Sequence, residues 1–188
     1  MSPRKPLNKV LLHPNSLTLF RIAAVPVIII LLLYPNRLCS FIAAAIFSVA
    51  AITDFLDGFF ARQQGLVSNL GKVMDPVADK LLVSTAFIML VSLGRVPAWM
   101  ACIIIGRELA VTGLRNIIAG KGKDVSASRL GKYKTGFQIA AIIPLMIHFP
   151  FLGIDVQAMG SLFLWVALVL TIWSGLDYFI RFRNLLEV

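Results

Sequence analysis

Apolar residues occur in six long runs, separated by short stretches that contain polar residues, glycine or proline. The runs cover about 16–34, 38–60, 72–93, 97–118, 132–149 and 158–180. Each run is close to the length that an α-helix needs to cross about 30 Å of hydrocarbon. The breaks contain residues that commonly end helices, such as Pro35, Gly94 and Pro150. The pattern predicts an all-α integral membrane protein with six transmembrane helices.

The composition agrees with this prediction. Of 188 residues, 59% are hydrophobic and only 14% are charged, whereas soluble domains are nearer half apolar and a quarter charged. We expect one transmembrane domain over 1–188, with no separate soluble domain. Cys39 and Cys102 lie inside apolar runs and have neither metal-ligand spacing nor the pattern of a disulfide framework.

Basic residues indicate the orientation of the chain. If the N-terminus is cytoplasmic, the three outer loops hold only two of the eighteen lysines and arginines, Arg37 and Arg95. This strong positive-inside bias predicts cytoplasmic N- and C-termini. It accounts for most of the net charge of +9 without a nucleic-acid partner, and it favours contact with anionic membrane lipids. The first run is long enough to be a retained helix and not a signal peptide.

Four aspartates lie where the second and third runs meet. Asp54 and Asp57 are three residues apart, and Asp75 and Asp79 are four apart, so each pair shares a helix face. A short polar connection makes the two helices antiparallel neighbours, with both pairs near one depth. Clustered carboxylates beside hydrocarbon need a counter-charge. Oxygen ligands without nearby His or Cys favour one or two Mg²⁺ or Mn²⁺ ions.

Two other interpretations of these aspartates remain open. Asp75, followed by Pro76, could cap the start of a helix. Asp54 and Asp57 could pair with basic residues on other helices. Small residues beside the acidic face, at Gly58 and Ala61, favour a binding site because they remove bulk from it.

The full spacing is D-x2-D-G-x2-A-R-x8-G-x3-D-x3-D, from Asp54 to Asp79. It resembles the signature of the CDP-alcohol phosphatidyltransferases at all eight defining positions, and six helices extend the resemblance over the whole chain in outline. The resemblance implies a homodimer in the bacterial inner membrane, with a polar cleft open to the cytoplasm. It also implies that Asp79 is the catalytic base and that metal is bound by Asp54, Asp57, Asp75 and Asp79. The donor, CDP-diacylglycerol, is then expected near Asp57, Gly58, Ala61, Arg62 and Gly71.

The chemistry that the resemblance implies fits these residue types. An acceptor hydroxyl attacks the phosphorus next to diacylglycerol, and CMP leaves. Two metal ions could hold the attacking and leaving oxygens of such a displacement. Asp79 would take the hydroxyl proton.

The first run opens with Asn15, Ser16 and Thr18. Asn15 or Ser16 could simply cap the helix, with Arg21 extending to the membrane surface. The family's first-helix pattern instead implies that Asn15 and Thr18 lie beside the donor phosphates.

Charged residues interrupt the fourth run at Arg107, Glu108 and Arg115, and intramembrane charges are functional candidates. We assign no role to Glu108. A basic stretch over 121–134 follows, and its first lysines fit a solvated cytoplasmic loop. We predict a pocket for a phosphate-bearing acceptor, formed by Arg107, Arg115, Lys132 and Lys134. The segments REL-x3-GLR and SRLGKYKT are similar to those of bacterial phosphatidylglycerophosphate synthases, a branch of this family. That similarity implies sn-glycerol 3-phosphate as the acceptor.

Three alternatives stay open. A different acceptor would make the chain a phosphatidylserine, phosphatidylinositol phosphate or cardiolipin synthase. Intramembrane prenyltransferases also hold a diphosphate with aspartates and Mg²⁺, but they lack the D-G-x2-A-R run. A cation transporter could use an acidic cluster at its midplane.

Overall fold

In the computed structural model, residues 14–64, 69–120, 129–150, 153 and 155–182 are described. Their side chains are described over 18–53, 77–118, 131, 133–150, 153 and 155–180. These ranges contain six helices and no strand: α1 Pro14–Leu33, α2 Arg37–Gln64, α3 Asn69–Ser92, α4 Ala98–Gly120, α5 Arg129–Ile147 and α6 Val156–Phe182. Every helix end lies within four residues of its predicted position. The predicted all-α fold is therefore confirmed.

Polar side chains and a glycine set several of these helix ends. Asn36 Oδ1 accepts a hydrogen bond from the Cys39 amide at 2.8 Å, which caps α2. Asp155 Oδ1 caps α6 in the same way, at 3.0 Å from the Ala158 amide. After α3, Gly94 has a φ of +67°, a conformation that glycine adopts without a Cβ penalty. These are local signals that can be found in the sequence.

The chain forms two compact units, Met1–Met89 and Leu90–Val188. In the first unit, α1 packs against α2, and the fully buried side chains include Ile28, Leu32 and Phe47. In the second unit, α6 packs against both α4 and α5. The single domain expected over 1–188 stays a prediction.

Glycine permits close packing of α5 against α6. A Cβ at Gly160 would lie 2.7 Å from Leu145 Cγ, closer than real Cβ atoms come to a neighbour. Both residues are buried. The second unit therefore depends on a small residue in α6, as helix contacts in membranes commonly do.

Arg95, in the loop between α3 and α4, caps the C-terminal end of α5. Arg95 Nη1 donates hydrogen bonds to the carbonyl oxygens of Leu145, at 3.1 Å, and Met146, at 2.7 Å. Next along the chain, His148 has a φ of +59°, and its amide donates to the Pro144 carbonyl at 3.0 Å. This is a left-handed helix cap built on a residue other than glycine.

One helical segment among the described residues, Val156–Ile180, is long and apolar enough to cross a bilayer. Its most exposed large side chains recur every three or four residues and so follow one face of α6: Leu162, Trp165, Val169, Trp173, Leu176 and Ile180. Shorter apolar segments occupy Thr18–Leu33, Arg37–Thr53 and Tyr133–Ile147. The six spans expected from the sequence stay a prediction.

Candidate active site

The aspartates of α2 and α3 lie at matching sequence distances from the connection between the two helices. Asp57 lies seven residues before the end of α2, and Asp75 lies six residues after the start of α3. Asp54 and Asp79 each lie ten residues from those same ends. At 1.5 Å per residue, Asp57 and Asp75 each lie about 10 Å along their helices from the connection. Asp54 and Asp79 each lie about 15 Å from it. A connection of this length commonly joins antiparallel helices. In that arrangement Asp57 would lie level with Asp75, and Asp54 level with Asp79.

The backbone excludes one alternative for the acidic motif. Because α3 begins at Asn69, Asp75 lies in its second turn and is not its N-cap. Asp75 therefore does not serve to start the helix, as the capping interpretation required. The pairing of Asp54 and Asp57 with basic residues concerns side chains outside the described set.

Several predicted site residues have side chains that the structure does not describe: Asn15, Asp54, Asp57, Gly58, Ala61, Arg62, Gly71, Asp75 and Lys132. Among the side chains that are described, no three acidic, His or Cys residues form a metal site. Asp79 is the one predicted ligand in that set, and it is half-buried. The metal site stays a prediction, although an oxygen-only donor set fits Mg²⁺ or Mn²⁺.

In the first unit, α1 carries a buried polar pair. Thr18, a predicted donor-binding residue, is buried, and Arg21 is only 1% exposed. The two are three residues apart and share a helix face. Burial excludes the interpretation in which Arg21 extends to the membrane surface. A buried guanidinium is costly unless it is well paired, so the sequence interpretation underestimated the polar character of this face.

In the second unit, Arg107 of α4 lies against α6. Its Nη2 donates a hydrogen bond to Ser174 Oγ at 3.0 Å, and Ser174 Oγ in turn donates to the Leu170 carbonyl at 2.6 Å. A Cβ at Gly175 would lie 3.1 Å from Arg107 Cγ. The arginine stem therefore occupies space that an alanine at 175 would fill, and the side chain is only 13% exposed.

Glu108 lies between two of the predicted acceptor-binding cations. Lys134 of α5 forms a hydrogen-bonded ion pair with Glu108 Oε1, and Arg107 Nη1 is 3.5 Å from the same oxygen. The side chain of Lys134 is only 3% exposed. We name this group, Arg107, Glu108, Lys134 and Ser174, the cation cluster.

Arg115 lies two turns beyond Arg107 on α4 and is exposed. It is close enough to repel Arg107 electrostatically. The fold thus brings Arg107 and Lys134 to one carboxylate and leaves Arg115 nearby and exposed. Ser174, Gly175 and the bridging role of Glu108 were missed, because no spacing rule connects positions on three different helices.

Comparisons with known proteins agree with the motif. A sequence model described as CDP-alcohol phosphatidyltransferase matches residues 11–173. A protein of Bacillus subtilis is 45% identical to this chain, one of Rickettsia typhi 42% and one of Shigella flexneri 38%. Each alignment covers 88% of this chain and 92%, 94% and 91% of the respective relative. All three relatives bear the name CDP-diacylglycerol–glycerol-3-phosphate 3-phosphatidyltransferase.

Proposed function

Because the chain belongs to the CDP-alcohol phosphatidyltransferase family, we propose that it transfers the phosphatidyl group from CDP-diacylglycerol to sn-glycerol 3-phosphate. The products are phosphatidylglycerophosphate and CMP, so the chain acts in phospholipid synthesis. The observation that supports glycerol 3-phosphate as the acceptor is the cation cluster, in which Arg107 and Lys134 from two helices meet at Glu108. The names of the relatives favour the same acceptor.

We assign the donor to the acidic motif and to α1. Asp54, Asp57, Asp75 and Asp79 would hold Mg²⁺ or Mn²⁺, as two ions, and the bound metal would supply charge that neutralises the diphosphate and stabilises the leaving oxygen. This assignment is supported by the similar distances of the aspartates on α2 and α3 from the connection between the two helices. The remaining donor contacts come from Asn15, Thr18, Gly58, Ala61, Arg62 and Gly71. The buried face formed by Thr18 and Arg21 supports a polar role for this part of α1.

Asp79 serves as the general base. Its carboxylate takes the proton of the acceptor hydroxyl while the hydroxyl oxygen forms a bond to the phosphorus that bears diacylglycerol. The bond from that phosphorus to the bridging oxygen breaks, and its electron pair leaves with CMP. The half-buried position of Asp79 suits a group that must be reached by substrate yet shielded from bulk water.

The acceptor phosphate binds to Arg107, Arg115, Lys132 and Lys134. An arginine offers parallel N–H donors that match two phosphate oxygens. Among the described residues, Arg107 Nε makes no hydrogen bond although it is buried. A phosphate oxygen is the kind of acceptor that would satisfy this donor.

We propose that all six helices span the bacterial inner membrane, with both termini in the cytoplasm, and that the protein is a homodimer. The apolar face of α6 extends over about 27 Å, from Leu162 to Ile180, close to the thickness of a hydrocarbon core. Membrane lipids are the natural partner of such a surface.

A nucleotide-release assay tests this function. Purified protein is supplied with CDP-diacylglycerol, Mg²⁺ or Mn²⁺ and one acceptor at a time: glycerol 3-phosphate, serine, inositol phosphate or phosphatidylglycerol. We expect CMP release with glycerol 3-phosphate alone. Release with another acceptor, but not with this one, would overturn the assignment. Turnover of a prenyl diphosphate, or cation flux without CMP release, would support the other protein classes.

A further inference from the structure

Glu108 has no role in the acceptor pocket as the sequence predicts it. A carboxylate beside a phosphate site is unexpected, because like charges repel. Yet the carboxylate lies at the centre of the cation cluster, where Oε1 contacts Lys134 Nζ and is 3.5 Å from Arg107 Nη1. Its side chain is 18% exposed, so bulk water screens these contacts only in part.

The arrangement solves a physical problem of bringing two cations together. Arg107 and Lys134 repel each other, and both side chains are largely buried, where such repulsion is strong. Glu108 offsets that repulsion and leaves the three groups with a net charge of +1. It also defines where Lys134 lies, because a flexible lysine stem has no preferred direction of its own.

Helix α6 restrains the other side of Arg107. Ser174 Oγ accepts from Nη2 at 3.0 Å, and Gly175 leaves room for the arginine stem. Arg107 is thus held at Nη2 by Ser174 and beside Glu108 at Nη1. Nε is buried and makes no hydrogen bond among the described residues.

We propose that Glu108 is a positioning residue for the acceptor. It holds Arg107 and Lys134 side by side so that both can act on one phosphate group, while Ser174 and Gly175 restrain Arg107 from α6. The proposal rests on the proposed function, in which these two cations bind glycerol 3-phosphate. Glu108 itself does not contact the substrate.

The first test is Glu108→Gln, which removes the charge and keeps the size of the side chain. We expect the KM for glycerol 3-phosphate to rise about tenfold to a hundredfold, the fold-change that corresponds to losing a hydrogen bond to a charged group. The KM for CDP-diacylglycerol should change less than about twofold, a split that general damage to the fold would not produce. Glu108→Asp should recover part of the lost affinity. Equal increases in both KM values would overturn the proposal.

A charge swap separates positioning from simple stabilisation. The double variant Glu108→Lys with Lys134→Glu restores an ion pair between α4 and α5 but moves the ammonium to the other helix. We expect thermal stability to recover while the KM for glycerol 3-phosphate stays high. Recovery of both would show that the pair is only structural and would overturn the proposal.

Gly175→Ala tests the contact between Arg107 and α6. It remains informative even if the charge-swap variant fails to fold. Its methyl group would lie 3.1 Å from Arg107 Cγ and would displace the arginine, so we expect a higher KM for glycerol 3-phosphate. Gly113→Ala is the matched control, because its methyl group meets nothing within 4 Å on the same helix as Arg107. The same KM in both variants would contradict the positioning of Arg107 by α6.

Arg107→Gln and Lys134→Gln distinguish this inference from the proposed function. If neither raises the KM for glycerol 3-phosphate, the acceptor assignment itself is wrong. If both raise it while Glu108→Gln and Gly175→Ala do not, the acceptor assignment stands and only the positioning role is overturned.

Discussion

The acidic motif and the cation cluster are two polar regions built in different ways. The motif lies on two consecutive helices, with all four aspartates between Asp54 and Asp79. The cation cluster takes Arg107 and Glu108 from α4, Lys134 from α5 and Ser174 from α6. The motif repeats helical spacing within one stretch of sequence, whereas the cluster depends on how three helices pack. A local motif thus identifies the family, while long-range packing sets the geometry of the cation cluster.

The largest expected effect is on the acidic motif. Asp79→Asn removes the proposed base but keeps an oxygen that could bind metal, so CMP release should fall by about 10²–10⁴-fold while CDP-diacylglycerol still binds. Turnover and equilibrium binding of labelled donor measure the two effects. Asp155→Asn is the matched control, because asparagine also caps helices and Asp155 caps α6. Near-normal turnover in Asp79→Asn would remove this aspartate from the chemistry.

A smaller effect is expected at Arg115, which is exposed and lies two turns beyond Arg107 on α4. Arg115→Ala should raise the KM for glycerol 3-phosphate about tenfold or more, because a hydrogen bond to a charged group contributes about 1.5–3 kcal/mol. The KM for CDP-diacylglycerol should change little. Arg37→Ala, which removes another exposed arginine, is the control. Equal effects on both substrates would place Arg115 elsewhere in the reaction.

Packing of α5 against α6 can be weakened without touching either polar region. Gly160→Ala would bring a methyl group within 2.7 Å of Leu145 Cγ, and overpacking of this kind costs about 1–3 kcal/mol. We expect a lower thermal midpoint in detergent. Gly136→Ala on α5 meets nothing within 4 Å and should not lower the midpoint. If Gly160→Ala behaves like this control, the close approach of the two helices is not needed for stability.

The smallest effect concerns pH and the loop after α5. Burial, and then the nearby Arg95, lower the pKa of His148, while Asp155 raises it by less. Because this pKa is lower in the folded state, the unfolded chain binds the proton more readily. Stability should therefore fall as the pH drops below about 6.5, the ordinary histidine value. His148→Asn should flatten this dependence, since asparagine tolerates a positive φ. Parallel pH profiles of the thermal midpoint for both proteins would contradict the assignment.

Much of the fold could be predicted from local pattern. Long apolar runs and helix-ending residues such as Pro35 and Gly94 placed every helix end within four residues of its observed position. The family was identified from the aspartate spacing, and the comparisons confirm it. Both predictions depend on residues that are close together in the chain, because helical periodicity relates their spacing to the helix face on which they lie.

Other features could not be found in this way. One interpretation of α1 placed Arg21 at the membrane surface, but Arg21 is buried. No partner could be predicted for Glu108, which pairs with Lys134 of α5. Nothing in the sequence around Gly175 indicates that it leaves room for Arg107. Partners that are 26 and 67 residues apart in the chain leave no common local pattern.

By itself the sequence determined the class of the protein, the positions of its helices and the family of its chemistry, because hydrophobic length and helical spacing are local properties. Only the tertiary structure decided which charges meet. Lys134 and Arg107 converge on Glu108 because α6 packs against both α4 and α5. Small residues set how closely those helices approach each other. That distance determines whether a buried charged side chain can reach an oppositely charged one on a neighbouring helix.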